Sequence, residues 1–409
     1  LFKSLYLCYL YTVLNSFIFL TFALYLKTMY VLILGTAHPY RGGLASFNER
    51  LARQFLSEGH NTEIFTFTLQ YPRFLFPGKT QFTEAEAPSD LKITRLLNSI
   101  NPFNWINVGQ KIRRQKPDIL IIKYWHPFMA PCFGTVAKVA ARNKSTRVIC
   151  IFDNVVPHEK SLIDRSFTRY FLNSINGGIV MSGSVFDDLK SFNTDFPVVF
   201  NPHPLYDNYG TPMRREDALK NLNLPADNSY MLFFGFIRAY KGLDLLLEAF
   251  AEKQLRNGKL KLIIAGEFYE NDKMYRDIIV KNNMCDDVIL FDRFIGENEV
   301  ASFFSAADLI VQPYRSATQS GVTQIAYHFG KPMLVTNVGG LHEIVKDGEC
   351  GYVVNPDPRS ISTAIMDFFT NNRYDEFSAG VNREKSRFTW DKLTAALINV
   401  SRESAKQKN

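Results

Sequence analysis

Apolar residues fall into short continuous runs, separated by segments whose apolar positions recur at helical spacing. Tyr30 to Gly35 is such a run. The loop Thr36-Ala37-His38-Pro39-Tyr40-Arg41-Gly42-Gly43 follows it, then a helical pattern from Ser46 to Leu56, a glycine stop at Glu58-Gly59-His60 and a second run at Thr62 to Phe67. Apolar runs without alternation suit parallel strands covered on both faces, so the chain opens as β-α-β. Further strands are predicted at Asp118 to Lys123, Arg147 to Phe152 and Gly178 to Met181. After Asn201-Pro202-His203-Pro204 and the polar stretch Tyr206 to Arg215 a second alternation begins. Its strands are predicted at Tyr230 to Phe234, Leu260 to Ala265, Val288 to Phe291, Leu309 to Gln312, Met333 to Thr336 and Gly351 to Val354. The pattern predicts an α/β protein of two doubly wound parallel-sheet domains, divided near residue 208.

Composition adds bounds. With 409 residues, 46% hydrophobic and 21% charged, the chain has material for two or three globular domains. A net charge of +7 permits anionic partners without choosing among them. The five cysteines are scattered and never spaced Cys-x-x-Cys, which supports neither a disulfide framework nor a zinc site and fits a reducing cytosol. Lys3 and Lys27 bracket an uncharged apolar segment, Ser4 to Leu26, long enough to span a bilayer. The absence of a small-residue cleavage site argues against a signal peptide. A membrane anchor and a mis-set start, with Met29 directly before the first strand, both stay open for residues 1–28. Lys111-Ile112-Arg113-Arg114-Gln115-Lys116 reads as a solvated basic helix face, and Tyr71 to Pro77 as a loop packed on its own domain.

Candidate chemistry gathers where strands hand over to helices, because backbone amides and the helix dipole hold phosphate there. Gly42-Gly43 occupies the first such turn; a Gly-x-Gly-x-x-Gly dinucleotide fingerprint is absent from it. Gly235-Phe236-Ile237-Arg238-Ala239-Tyr240-Lys241-Gly242 opens the second domain. Two cations at a helix start conflict with the dipole unless an anionic ligand is bound, and Lys241 is expected to be exposed in the cleft. Ser320-Gly321-Val322 begins another helix, with Gln319 and Gln324 as neutral hydrogen-bonding groups beside it. Glu343, in Gly339-Gly340-Leu341-His342-Glu343-Ile344-Val345, reads as a first-turn helix acid.

The order of these signatures resembles the donor-binding half of the family-4 retaining glycosyltransferases, strongly over residues 230 to 355 and moderately over the first domain. The resemblance implies two facing Rossmann-like domains of GT-B type: residues 29–207 on the acceptor side, residues 208–388 for the nucleotide sugar, and a C-terminal helix within 389–409 returning to the first domain. It places Gly42, Gly43, Arg238, Lys241, Gln319, Ser320, Gly321, Val322 and Gln324 around the donor. Two departures stand out. The family arginine directly follows the glycine where this chain has Phe236, so Arg238 reaches from a displaced position. The paired glutamates, counted back from Gly330-Lys331-Pro332, fall on Ala317 and Ile325, so this reads as a divergent member.

On the acceptor side His126, Asn154 and His158 follow two strand ends and are the catalytic candidates, with His38 a third and weaker histidine. The implied activity is retaining, metal-independent hexosyl transfer from a nucleotide diphosphate sugar, used as co-substrate with no cofactor, to a glycan or lipid-linked acceptor. The expected setting is surface polysaccharide or glycolipid synthesis at the cytoplasmic face of a membrane, peripheral or anchored, without nucleic acid. An epimerase or phosphorylase of the same fold, or a non-catalytic sugar-nucleotide-binding subunit, stays open beside it.

Overall fold

The computed structural model describes residues 28–72, 80–155, 164–256, 259–317 and 320–406. The expectations for the apolar segment before Thr28, for His158 and for Gln319 lie outside these residues.

The first domain holds β1 (Tyr30–Leu34), α1 (Gly43–Ser57), β2 (Asn61–Leu69), β3 (Ile93–Asn98), α2 (Pro102–Gln115), β4 (Ile119–Tyr124), α3 (Ala130–Ala140), β5 (Arg147–Phe152), α4 (Asp164–Leu172), β6 (Gly177–Val180), α5 (Gly183–Lys190) and β7 (Val198–Phe200). Its seven strands are all parallel, in the order β3-β2-β1-β4-β5-β6-β7. The second domain holds α6 (Arg215–Asn221), β8 (Ser229–Phe234), α7 (Leu243–Phe250), β9 (Leu260–Ala265), α8 (Lys273–Lys281), β10 (Val288–Phe291), α9 (Glu297–Ala306), β11 (Leu309–Gln312), α10 (Gly321–His328), β12 (Met333–Thr336), α11 (Leu341–Ile344), β13 (Gly351–Val354), α12 (Pro358–Thr370) and α13 (Tyr374–Glu384), after which α14 (Trp390–Lys406) returns to the first domain. Its six strands run β10-β9-β8-β11-β12-β13.

Both faces of both sheets are covered, which is why the central strands carry no polar alternation. Val31 and Ile33 join one apolar cluster while Leu32 and Leu34 join another on the opposite face. In β8, Tyr230 and Leu232 face the first of these clusters, and Met231 and Phe233 face a third. The first cluster contains residues of both domains, so apolar packing continues across the junction. The long helix α14 lies against β5, β6 and α1. Thr394 Oγ1 there donates to Glu58 Oε1 at 2.7 Å, and Trp390 Nε1 donates to the Leu205 carbonyl at 2.7 Å.

Candidate functional site

Two parallel sheets place their strand C-termini toward a shared cleft, the position where open α/β sheets take ligands. In the first domain the turn after β1 ends at Gly42, whose φ of 100° is rarely adopted by a residue with a Cβ. Gly42 caps α1 without a side chain, leaving the first-turn amides uncapped. Side-chain caps are present at other helix starts, where Asn101 caps α2, Ser182 caps α5 and Asp357 caps α12, while α3, α6, α7 and α8 also begin without one.

Gly42 and Gly43 face Phe234, Gly235, Phe236, Glu267 and Phe294 of the second domain across a cavity of about 140 Å³. Tyr209, Phe234, Phe236 and Phe294 bring aromatic rings to its walls. The Phe236 and Phe294 rings lie 6.1 Å apart, and the Arg41 guanidinium stands 4.6 Å over Phe294 and 3.6 Å from Glu267 Oε2. A larger chamber of about 840 Å³ shares Gly42, Phe294 and Glu297 with it and is lined by His38, Glu49, Arg50 and Arg53. Burial pushes the Glu49 carboxyl upward, opposed mainly by the hydrogen bond it accepts from the His38 amide. Apolar rings beside glycine amides, opening into a polar chamber, suit a ligand with a flat base, an anionic middle and a hydroxylated end.

Arg238 and Lys241 stand in the turn after β8. Lys241 is 9% exposed, not open to solvent in the cleft as expected. Its stem folds back so that Nζ lies 3.0 Å from where a Cβ of Gly235 would be; Gly235, with φ of 97°, leaves the ammonium that space. Among the described residues no carboxylate forms an ion pair with Lys241 or Arg238. Burial, with the Arg238 charge adding to it, pushes the Lys241 ammonium down to about 8. Asp244, the acid in the first turn of α7, is engaged by Arg315.

The start of α10 completes this side. Ser320 precedes the helix but gives it no side-chain cap; its hydroxyl instead lies 3.3 Å from Tyr314 Oη. A Cβ on Gly321 would come within 2.9 Å of the Tyr206 ring. The Tyr206 hydroxyl donates to the Gly43 carbonyl at 3.4 Å, so this linker tyrosine spans the two glycine-led helix starts. Val322 is buried against the junction core. Gln324 is completely buried, and neither atom of its amide has a protein partner among the described residues, so the side chain is not presented to the open cleft. Ile325 belongs to the same apolar cluster as Val322 and Phe329, where a carboxylate would be buried among apolar side chains. Ala317 packs at the edge of that cluster.

The acceptor-side candidates separate. His126 keeps an exposed edge; its Nδ1 accepts from the Phe128 amide at 3.1 Å, which places the ring proton on Nε2, and partial desolvation of the ring lowers its basicity. It lines neither cleft cavity. Asn154 is half-buried, and its Oδ1 has no protein hydrogen bond among the described residues. Beside it Lys123 Nζ meets Asp153 Oδ1 at 2.6 Å and sits 3.6 Å over the Phe47 ring. Burial opposes both charges of this pair, and each is the other's main compensation. His203, which packs against Phe47, is held neutral, its pKa pushed down to about 3 by burial and then by Lys123.

Sequence reasoning did not single out Arg41, Glu267 or Phe294, although each belongs to a turn after a strand, the same signal that found Gly42 and Lys241. Glu343 stands in the first turn of its own helix, as the sequence predicts, and its carboxylate also accepts from the Gly183 amide at 2.9 Å and so caps α5 of the other domain. Gly183 is needed there, because a Cβ would lie 2.5 Å from Glu343 Oε1.

Comparison with known proteins agrees with this geometry. Residues 228–371 match the family model described as glycosyl transferases group 1. The D-inositol 3-phosphate glycosyltransferase of Thermobispora bispora is 29% identical over 203 residues, 47% of this chain and 47% of that protein. The chain thus spans about half the length of the curated relatives it matches. Among solved structures, sucrose-phosphate synthase from Thermosynechococcus elongatus superposes with a TM-score of 0.70 at 17% identity, over 91% of this chain and 98% of that one. Anabaena HepE in complex with UDP and glucose gives 0.67 at 14% identity, over 93% and 99%. The protein therefore has the GT-B fold, with two facing Rossmann-like α/β domains, and its residues 228–371 match the glycosyl transferases group 1 model.

Proposed function

We propose that this chain is a retaining, metal-independent glycosyltransferase that moves a sugar from a nucleotide diphosphate donor to a glycan or lipid-linked acceptor at a membrane surface. The observation that carries the reading is the pair Arg238 and Lys241, two cations without a carboxylate partner among the described residues, beside Gly235 and the uncapped start of α10. A diphosphate placed there meets two positive side chains and the amides of two helix starts. As the bond from the anomeric carbon to the diphosphate oxygen lengthens, negative charge grows on the leaving group and these groups stabilise it. Retention follows when the acceptor hydroxyl attacks from the face the diphosphate leaves, passing its proton to the departing phosphate oxygen. Phe236 and Phe294 form the base end of the site. Asn154, half-buried and with an amide oxygen that lacks a hydrogen-bond partner among the described residues, is the first-domain group suited to a sugar hydroxyl.

A second reading, a non-catalytic nucleotide-sugar-binding subunit, has one observation in its favour: Ile325 in the core leaves no carboxylate at that turn for ribose. Glu267 in the cavity wall is the alternative source. Titrating the protein with uridine, guanosine and adenosine diphosphates, then assaying transfer from the matching nucleotide sugar to lipid-linked acceptors, separates these readings. Tight binding with neither transfer nor donor hydrolysis would favour the subunit; no binding to any diphosphate would remove both.

A further inference from the structure

The outer face of α2 has an unusual surface. Ile100 in the turn before it, and Phe103 and Ile106 on its first turns, are 50%, 81% and 41% exposed. Asn101 caps the helix with Pro102 behind it, so its start is fixed and these side chains are held outward. Lys111, Arg113, Arg114 and Lys116 follow on the same helix and its C-cap, all exposed. Asn143 Nδ2 donates to the Arg113 carbonyl, bringing exposed Arg142 and Lys144 against the same end. Between Asp90 and Asp153 the sequence has one carboxylate, Asp118, and it is turned inward to accept from the Tyr30 amide at 2.8 Å. Among the described residues none of these six cations forms an ion pair. A solvated helix face needs neither an exposed phenylalanine nor the absence of acids.

We propose that this face of α2 docks on an anionic lipid bilayer, with Ile100, Phe103 and Ile106 entering the headgroup region and the cation cluster lying against lipid phosphates. Apolar side chains beside a strong excess of one charge on one helix face are the features that hold a helix in the plane of an interface. The site is also placed usefully. α2 follows the edge strand β3, which is parallel to β1, so its apolar end lies at the edge of the sheet that carries the Gly42-Gly43 turn. Docking there brings the cleft mouth toward the membrane, where a lipid-linked acceptor would present its sugar. That purpose rests on the function proposed above; lipid binding is measured without donor or acceptor, so either can fail alone.

The test is sedimentation of the full chain with vesicles of phosphatidylcholine alone and of phosphatidylcholine mixed with phosphatidylglycerol. The parent should bind the mixed vesicles more tightly, and added salt should weaken that binding. Lys111→Glu with Arg114→Glu should lower affinity for the mixed vesicles roughly tenfold or more, and Phe103→Ser with Ile106→Ser should lower it as well. Both variants keep residues 1–27, so the difference from the parent is the contribution of α2 itself. Their melting temperatures should match the parent's, since the side chains are exposed. Equal binding of parent and both variants to the mixed vesicles would overturn the proposal, as would equal parental binding to both vesicle types. So would tight binding to double-stranded DNA, lost in the charge variant, with no binding to vesicles.

Discussion

Lys123 and Lys241 are both buried lysines on the cleft side of a sheet, one in each domain, and they are held in opposite ways. Lys123, at the end of β4, has its carboxylate 2.6 Å away in Asp153 and an aromatic ring beneath it. Lys241 has no acid among the described residues and a second cation, Arg238, close enough to make its charge less favourable. A buried charge without a partner is costly, and a fold under no other demand would remove it or pair it. The first-domain lysine is part of the architecture, whereas the second-domain lysine stands ready for an anion that arrives from solution.

The contrast can be broken most forcefully at Lys123. Removing one partner of a buried ion pair strands the other, so Lys123→Ala should cost about 3 kcal/mol of stability or more, read as a lower denaturation midpoint. If the midpoint did not move, the pair would not be structural. Lys241→Ala should do the reverse. Stability should stay level or rise because an unpaired ammonium is gone, while affinity for the nucleoside diphosphate falls by about 2 kcal/mol, the worth of a charge-assisted hydrogen bond. Calorimetric titration and thermal melting on the same sample would show whether the two effects separate in this way.

Smaller effects sharpen the picture. Glu343→Gln replaces a charged cap on α5 by a neutral one and should cost about 1 kcal/mol. Because the bond joins the domains, small-angle scattering should show the variant more open on average; an unchanged profile with unchanged stability would reduce the contact to a passive one. Gln324→Met should leave diphosphate affinity within about twofold of the parent, since the amide is sealed from the cleft and its loss removes a buried polar group with no protein partner. A large loss of affinity would mean that Gln324 reaches the ligand after all.

The central strands were legible because burial on both faces leaves a continuous apolar run, as in β1, β4 and β5. β3 and β7 were not. β3 is an edge strand, its sequence is interrupted by Arg95 and much of it is only half-buried, while β7 is three residues long. Such strands are set by their neighbours more than by their own pattern. At the site, Gly42, Gly43 and Lys241 could be found because a glycine or cation after a strand is a local signal. The cap that Glu343 gives Gly183 joins residues 160 positions apart, and the Arg41 contact with Glu267 also crosses the domain junction. No local pattern encodes either contact. Nor did the sequence show that Lys241 is covered, since that depends on how its stem folds over Gly235.

The most direct test of the central claim is the pH dependence of nucleoside diphosphate affinity, compared between the parent and Lys241→Met. Lys241 is depressed from 10.5 to about 8 in the free protein. Between those values the unfolded chain binds the proton more than the folded one does, so the burial penalty is full below about pH 8 and is relieved as pH rises toward 10.5. The same titration removes the cation the ligand needs. Parental affinity should therefore hold steady below about pH 8 and fall above it, with proton uptake on binding, while the methionine variant binds more weakly and shows no fall over that range. Parallel pH profiles for the two proteins would contradict the account, because the diphosphate would then be held by groups other than Lys241.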